Sequence, residues 1–480
     1  MGTGGDMERD QENAGKARRR YNRLLFGTCG LAGLIYGIDM GLISAALPYI
    51  RETCGFSSAQ LSSIVAAVLL GGIPGTFLGG PVCDRFGRRA GFQLTALVFA
   101  VAVPLICLSN GSFVLMFVGR LLQGAGCSLA SIAAPLFIAE SAESKDRGKG
   151  GGMIQLVLTV GLVVAALLGV AVSWCCGAPV PAAEATPDRM AAMTRAWQAI
   201  FWFSLLPTVF LFLGSLRLKE TSRWLFLRGR VDEARTSLLM NNDAATAEAI
   251  LADMRGNAAD QSVADEPVSS LLQRKYVVPF VIVVLVIFFN QASGVNAVIN
   301  YSVLLFNKAG LNGTEGNWAD SALKTVNFLM TCVGVSLVDR LGRKPLLQIG
   351  TAGVVIGLVA AGLSYRLGLG GWFVASGFFV FMAGFAVGPG VCVWLAMSEL
   401  CPTRIRAKAM MIGLFVGMAA AWGIAQAFIP WSEAMGEAGV FFTLAGVAVF
   451  YFLTVTFLLP ETKGKSLEEI ERHFADASAG

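Results

Sequence analysis

The sequence predicts an all-α membrane protein in which twelve transmembrane helices form two pseudo-symmetric six-helix bundles. Three observations support this prediction. Of the 480 residues, 55% are hydrophobic and only 14% are charged, whereas soluble domains carry about 25% charged residues. Twelve apolar runs of roughly 20 residues are each long enough to cross a bilayer. A short charged signature occurs once in each half of the chain, which indicates a duplicated unit of the kind from which secondary transporters are built.

The apolar runs divide the chain into five segments. A polar stretch of helical character, interpreted as a cytoplasmic linker domain, separates six runs from six. Arginines precede the first run as in a signal peptide, but the run is too long for one and contains Asp39. The predicted segments are a cytoplasmic N-terminal tail (1–23), an N-terminal six-helix bundle (24–217), the helical linker (218–275), a C-terminal six-helix bundle (276–459) and a cytoplasmic C-terminal tail (460–480).

The repeated signature carries the evidence for duplication. It reads Asp84-Arg85-Phe86-Gly87-Arg88-Arg89 between the second and third runs, and Asp339-Arg340-Leu341-Gly342-Arg343-Lys344 between the eighth and ninth. A second pair of charges follows each copy at the same interval of seven residues: Glu140 with Arg147, and Glu399 with Arg406. Because two unrelated spacings recur at nearly one offset, we infer that the two bundles are copies of one unit.

Lysine and arginine are unevenly distributed between the loops. With both ends placed inside, the inner segments hold basic clusters, while the outer loops hold only five scattered basic residues. This asymmetry follows the positive-inside rule. We therefore predict a multi-pass protein of the cell membrane (the inner membrane if the cell has two) with both termini in the cytoplasm. The net charge of +5 reflects the same bias, so a lipid bilayer is an expected partner and nucleic acid is not.

Charges inside apolar runs are costly and usually mark a substrate or ion pathway. Asp39 lies in the middle of the first run and Arg120 in the fourth. A carboxylate that approaches and leaves an arginine has a pKa that changes with conformation, as proton coupling requires. The alternative is a permanent ion pair that neutralises two buried charges. Lys324, in the eighth run, is predicted to extend its ammonium group out of the bilayer. If it faced the substrate instead, it would favour an acidic solute.

Amide and aromatic side chains at membrane depth form a second candidate set. Any one of them could serve only in hydrogen bonds between helices. Together they suit a polyhydroxylated ring, because amides bind hydroxyls as both donors and acceptors and an indole covers an apolar sugar face. Gly294 lies between two of them and is expected to allow close approach or local unwinding. The set comprises Gln155, Asn290, Gln291, Asn296, Asn300, Tyr301, Asn327 and Trp394.

The sequence lacks the residues that several kinds of catalytic or ATP-driven function require. The only histidine, His473, lies in the C-terminal tail, so neither a histidine-based triad nor a zinc site is expected within the membrane. No G-x-x-x-x-G-K-[ST] sequence occurs, which argues against transport driven by ATP in this chain. The ten cysteines lie mostly in apolar runs and indicate packing rather than disulfides. We expect no enzyme activity, no cofactor and no metal.

The motifs jointly resemble the sugar porter family of the major facilitator superfamily over about 31–470. Both copies of the charged signature belong to this resemblance. Glu220-Thr221-Ser222-Arg223-Trp224-Leu225 is similar to the family's P-E-S-P-R-W-L without its prolines, and Asn290-Gln291-Ala-Ser-Gly-Val-Asn296 is similar to Q-Q-x-S-G-x-N. The remaining elements are Gly119-Arg120…Gly124, Glu140…Arg147, Gly388-Pro389…Trp394, Glu399…Arg406 and Pro460-Glu461-Thr462-Lys463-Gly464.

The resemblance implies an alternating-access transporter with its substrate between the two halves. It implies that the amide and indole set contacts a sugar, with Tyr36 and Tyr301 as aromatic neighbours, and that Asp39 and Arg120 form the proton-coupling pair. It further implies a cytoplasmic gate that locks the halves together in the outward-facing state, for which topology-setting charge is the alternative. The gate residues are Asp84, Arg85, Arg88, Arg89, Glu140, Arg147, Glu220, Arg223, Asp339, Arg340, Arg343, Glu399, Arg406 and Glu461.

Several positions depart from the family pattern. Leu162 stands where many members have a second glutamine, Asn300 replaces a tyrosine, and Gly417 with Met418 replaces a polar residue and a tryptophan. The substrate is therefore interpreted broadly, as a hexose, a pentose or a polyol moved in symport with protons by a monomeric unit. A passive uniporter of the same fold, or a carrier of sugar acids or polyols, is the alternative. A nutrient sensor is disfavoured because the tails are short.

Overall fold

The computed structural model is built almost entirely of α-helices. It describes residues 3–141, 144–260, 273–401, 405–465 and 469, and within these it describes only the backbone of 3–12, 14, 144–151, 257–260, 274, 275 and 407. The helices of the N-terminal half are α1 (Thr3–Cys54), α2 (Ser58–Phe86), α3 (Arg88–Cys107), α4 (Phe113–Ser141), α5 (Ser144–Cys176), α6 (Pro187–Phe203) and α7 (Leu205–Arg217). Those of the linker are α8 (Ser222–Leu227), α9 (Val231–Asn241) and α10 (Ala244–Asp260). Those of the C-terminal half are α11 (Arg274–Ala292), α12 (Val295–Lys308), α13 (Thr314–Leu341), α14 (Arg343–Leu367), α15 (Gly371–Val387), α16 (Pro389–Leu400) and α17 (Arg406–Phe457).

These helices provide twelve membrane crossings. Within the described residues, eleven helical stretches are long and apolar enough to cross a bilayer. The last of them, α17, has 52 residues and breaks at Gly436, where φ is 72° and ψ is 162°, so it crosses twice. The predicted fold class is confirmed, including a helical linker between the two groups of six.

Local sequence explains where several helices begin. Ser57 caps α2 in a reciprocal arrangement with Gln60, and the Thr186 hydroxyl caps α6 just before Pro187. Gly294 adopts the left-handed conformation (φ 84°), which ends α11 and starts α12 within one membrane crossing. The predicted local unwinding at this glycine is therefore confirmed.

The most extensive contacts between the two halves are made by three helix pairs. Helix α1 packs on α12, α2 packs on α17, and α5 packs on α13. We call the end of the bundle that carries Asp84, Arg88, Asp339 and Arg343 the motif end, and the other the opposite end. Because α1, α2 and α5 belong to one N-terminal bundle, a movement that separates the two halves at one end also changes the contacts between them at the other end.

Candidate functional site

A cavity of about 830 Å³ lies between the two halves. Both halves contribute to its wall, and the wall reaches the motif end through Asp339, Arg343 and Ser398. Its volume falls within the range of about 300–1,000 Å³ that is usual for small-molecule sites. The geometry is therefore that of a binding site accessible from the motif end.

Five predicted substrate residues line this cavity. They come from α1, α5, α11, α12 and α16, and so from both halves. The Asn296 amide donates to Gln291 Oε1 over 3.1 Å, which leaves the Gln291 amide nitrogen free to donate to a ligand. Trp394 is 37% exposed, and its indole supplies an apolar plane. The five residues are Tyr36, Gln155, Gln291, Asn296 and Trp394.

Four other predicted substrate residues lie behind the wall in this conformation. Asn290 donates to the Pro389 carbonyl and contacts the Tyr451 hydroxyl, each at 3.4 Å. Tyr301 is fully buried, donates to the Ala425 carbonyl over 2.7 Å and stacks on Phe428. Asn300 and Asn327 are also buried, at 2% and 6% exposure, and are absent from the wall.

The positions that depart from the family pattern differ in where they lie relative to this wall. Met418 lines the cavity and accepts a hydrogen bond from Thr76 across the halves at 3.5 Å. A Cβ atom at Gly417 would lie 2.8 Å from Ile287 Cγ2 and 3.2 Å from Gln291 Cγ, so glycine allows α17 to pack closely on α11 beside Gln291. Leu162 is buried at 2% exposure and does not line the cavity.

Asp39 and Arg120 meet in the core of the N-terminal half, as predicted. Arg120 Nη1 lies 3.3 Å from Asp39 Oδ1, and both side chains are at most 1% exposed. The same Nη1 donates to Gln123 Oε1 over 2.9 Å, and the guanidinium lies over the ring of Phe201. Sequence reasoning missed Gln123, although its spacing of three residues from Arg120 on one helix was a signal.

The pair is incompletely satisfied. Asp39 Oδ2, Arg120 Nε and Gln123 Nε2 are buried and have no hydrogen-bond partner in the described part of the chain. Buried polar atoms are nearly always paired, so three unpaired atoms around one ion pair make it a candidate functional site. Asp39 lies one helical turn from Tyr36, which lines the cavity. A loosely held carboxylate therefore stands next to the cavity wall.

At the motif end, the duplicated charges form two equivalent clusters. In the N-terminal half, Arg88 Nη2 contacts Glu140 over 2.9 Å and Asp84 over 3.0 Å. Glu140 also accepts from the Thr221 hydroxyl at 2.6 Å, and Glu220 accepts from the backbone N–H of Arg88 at 3.0 Å.

The C-terminal half repeats this arrangement. Arg343 contacts Glu399 over 2.9 Å and Asp339 over 3.5 Å, Glu399 accepts from Thr462, and Glu461 accepts from the Arg343 backbone. The equivalent partners confirm the duplication down to single hydrogen bonds.

Two carboxyls at this end have oppositely shifted pKa values. Burial raises the pKa of Glu220, although backbone N–H groups of Thr221, Arg89 and Arg88 act against this. Burial acts in the same direction on Glu461, but it is outweighed by four backbone N–H donors, which lower the pKa of that carboxyl. The Glu220 carboxylate accepts from the backbone at the start of α3, and the Glu461 carboxylate accepts from the backbone at the start of α14. Burial outweighs these bonds at Glu220 but not at Glu461.

The remaining predicted gate residues hold contacts within their own half. Arg89 donates to the Leu216 carbonyl, Arg406 donates to the Cys401 carbonyl, and the Arg340 carbonyl accepts from Lys463. The side chains of Arg85 and Arg223 are exposed. The side chain of Arg147 lies outside the described residues. A lock between the halves remains a prediction for a different conformation.

At the opposite end, the halves are closed against each other. Gln426 donates to Ser63 over 2.9 Å, and the hydroxyls of Ser173 and Thr314 lie 3.3 Å apart. Ser58 also hydrogen-bonds Glu433 across the halves. With the cavity reaching the motif end, this closure defines a conformation open on one side only.

The prediction that Lys324 extends out of the bilayer is wrong. Its side chain is fully buried, and its Nζ lies 2.8 Å from Asp320 Oδ2. Charged side chains within membrane spans usually face the interior of the bundle and pair with one another, as Lys324 does with Asp320. Sequence reasoning missed Asp320, although an acid four residues before a lysine on one helix was a signal.

Comparisons with known proteins agree on the type of molecule. The sequence model of the family described as "Sugar (and other) transporter" matches residues 27–474. The probable metabolite transport protein CsbC of Bacillus subtilis is 30% identical, with 95% of each chain covered. The galactose-proton symporter of Escherichia coli is 27% identical, with 97% of each covered. In fold, the chain is similar to the inward-open xylose transporter XylE of Escherichia coli (TM-score 0.78, 23% identity, 93% of this chain and 98% of that chain).

Proposed function

The chain belongs to the sugar porter family of the major facilitator superfamily, and from that membership we propose that it moves a monosaccharide or a polyol in symport with protons. It is a multi-pass membrane transporter rather than an enzyme. The proposal specifies a secondary active carrier that alternates between the observed conformation and one open at the opposite end. The motif end is proposed to face the cytoplasm, as are both termini, in the cell membrane.

The cavity supports a polyhydroxylated substrate. Its wall combines amide groups of Gln155, Gln291 and Asn296 with the indole of Trp394, and the charged residues that it includes, Asp339 and Arg343, belong to the motif end. Relatives are named as symporters of arabinose and galactose with protons. We propose that Asn290, Asn300, Tyr301 and Asn327 join the site only after the wall rearranges. The domain segments and the monomeric unit are proposed as predicted from the sequence.

One observation carries the proton coupling: the buried Asp39–Arg120 pair is held by a contact of 3.3 Å, and the second Asp39 oxygen has no hydrogen-bond partner among the described residues. A tight structural pair is shorter, about 2.7–2.9 Å, and often bidentate. Arg88 and Glu140 show that shorter geometry in the same half. A loose pair can exchange its partner for a proton at lower energetic cost when the halves move.

The substrate class is tested first by thermal shift of the purified protein. The panel comprises arabinose, xylose, galactose, glucose, sorbitol and gluconate. We expect stabilisation by a neutral sugar or polyol, because ligands raise the melting temperature of the state they bind. Stabilisation by gluconate alone would instead favour a carrier of sugar acids.

Proton coupling is tested by sugar-induced pH change in proteoliposomes. Addition of the active sugar should alkalinise the external medium with wild type. Asp39→Asn should abolish that pH change while retaining sugar counterflow, and Glu315→Gln, which alters an exposed carboxyl, should behave as wild type. Sugar uptake that ignores an imposed proton gradient in wild type would identify a passive uniporter.

A further inference from the structure

A second buried ion pair lies at the opposite end, where the halves are closed. Asp320 and Lys324 occupy one face of α13, and their side chains are at most 1% exposed. Besides Asp320, the Lys324 ammonium has two further acceptors: Ser44 Oγ at 2.7 Å and the Gly41 carbonyl at 3.1 Å. All three of its donors are therefore satisfied.

The acceptors of Lys324 come from both halves. Asp320 belongs to the same helix as the lysine, whereas Gly41 and Ser44 belong to α1 of the N-terminal half. Ser44 Oγ also lies 3.2 Å from Asp320 Oδ2, and Ser302 of the C-terminal half donates to the other carboxylate oxygen over 2.6 Å. The pair thus bridges α1 and α13 through side chains and backbone.

The surroundings argue against a substrate contact. Neither Asp320 nor Lys324 belongs to the cavity wall. The carboxylate neutralises the ammonium, so the pair offers no net charge to an anionic solute. Burying two charges is unfavourable unless their remaining hydrogen bonds are satisfied. Two of the three bonds that satisfy Lys324 exist only while α1 stays next to α13.

We propose that Ser44, Asp320 and Lys324 form an ionic latch between the halves, which stabilises the conformation closed at the opposite end. Opening that end removes Gly41 and Ser44 from the ammonium and admits water to the pair. The latch thereby sets the equilibrium between the two conformations and the sidedness of substrate affinity. The inference rests on the proposed alternating access, but it requires neither proton coupling nor a particular sugar.

Two serine variants separate a latch from a simple buried ion pair. Ser44→Ala removes a hydrogen bond that crosses the halves, and Ser302→Ala removes one to the same carboxylate within one half. Both leave the two charges in place. Hydrogen–deuterium exchange of the full-length protein in lipid nanodiscs, without substrate, reports the opening of residues 41–50 and 302–308.

A latch predicts that Ser44→Ala accelerates exchange of both segments about tenfold, the size expected for one hydrogen bond to a charged group. Ser302→Ala should leave the exchange of 41–50 as in wild type, although it lowers the melting temperature. Equal effects of the two variants on 41–50, or no effect of Ser44→Ala, would overturn the latch. The double variant Asp320→Leu with Lys324→Met gives a second test, because it removes both charges at similar volume and should also favour the open state.

The exchange result is independent of the transport assay. If Asp39→Asn retained sugar-driven proton movement, the coupling proposal would fail while the exchange difference between Ser44→Ala and Ser302→Ala would still decide the latch. Conversely, unchanged exchange in Ser44→Ala together with intact coupling would refute the latch alone.

Discussion

Replacing Gly124 with alanine should separate two helices and break the contact between Asp39 and Arg120. Gly124 lies where α4 crosses α2. A Cβ atom added there would lie 1.9 Å from the carbonyl oxygen of Val68, and 2.7 and 2.8 Å from its carbonyl carbon and Cα atom. All three are backbone atoms, so no side-chain rotation can relieve the overlap.

The displacement follows from these distances. A carbon–oxygen contact needs about 3.3 Å, so the helices must separate by about 1.4 Å near Val68. Overpacking typically costs about 1–3 kcal/mol, and rigid backbone places this case near about 3 kcal/mol. Arg120 lies one turn away on α4, and its 3.3 Å contact with Asp39 is already close to the outer limit of a hydrogen bond. A shift of half that size suffices to break it.

Two assays follow the two consequences. The melting temperature of Gly124→Ala in detergent should fall by about 3 °C, because the unfolding entropy of a 480-residue chain is about 1 kcal/mol per kelvin. Sugar-driven proton movement in proteoliposomes should fall by about tenfold to a hundredfold, the effect of a misplacement of about 1 Å in a functional group. The control is Gly446→Ala, because a Cβ atom there meets no other atom within 4 Å. A Gly124→Ala protein that melts and transports like wild type would refute the reasoning.

Three further predictions concern the cavity and the motif end. Asn296→Ala removes one cavity amide and the hydrogen bond that orients Gln291, so the apparent KM in sugar counterflow should rise about tenfold. Because the pKa of Glu461 is lowered, its ionised carboxylate stabilises the folded protein at pH values above the ordinary pKa of 4.5, and this stabilisation is lost as the pH falls through the lowered pKa. The melting temperature of Glu461→Gln should therefore lie below that of wild type at neutral pH, and the difference should shrink on acidification. The raised pKa of Glu220 has the opposite effect, because the stabilisation that this carboxyl gives the folded protein is lost as the pH rises through the raised pKa. In melting curves, Glu220→Gln should therefore become more stable relative to wild type between acidic and neutral pH.

Much of the fold was predictable because its signals are long or repeated. Apolar runs report membrane crossings directly, since backbone in lipid must be satisfied within a helix. Duplication was visible in charge spacing alone, and Gly294 marked the break in a crossing because only glycine adopts its conformation without strain. The contact between Asp39 and Arg120 was predictable because a charge buried in a membrane span needs a partner.

The site was less predictable because it depends on the conformation. Asn300 and Tyr301 carry suitable chemistry, but both are buried away from the cavity wall, and composition does not distinguish these positions. The prediction for Lys324 was wrong because it assumed that the side chain lies next to lipid, whereas α1 covers it and accepts two of its hydrogen bonds. Asp320 stands near the start of a crossing, where an acid is ordinary, and its significance follows only from its distance to Lys324 and Ser44.

The central claim is that the Asp39 carboxyl exchanges a proton as the cavity changes sides, and sugar accumulation against a controlled pH gradient tests it most directly. In proteoliposomes without a membrane potential, wild type should concentrate its sugar about tenfold for each unit of pH difference at one proton per sugar. Asp39→Asn should equilibrate the same sugar to equal concentrations on both sides. Accumulation by Asp39→Asn to the wild-type ratio would contradict the claim.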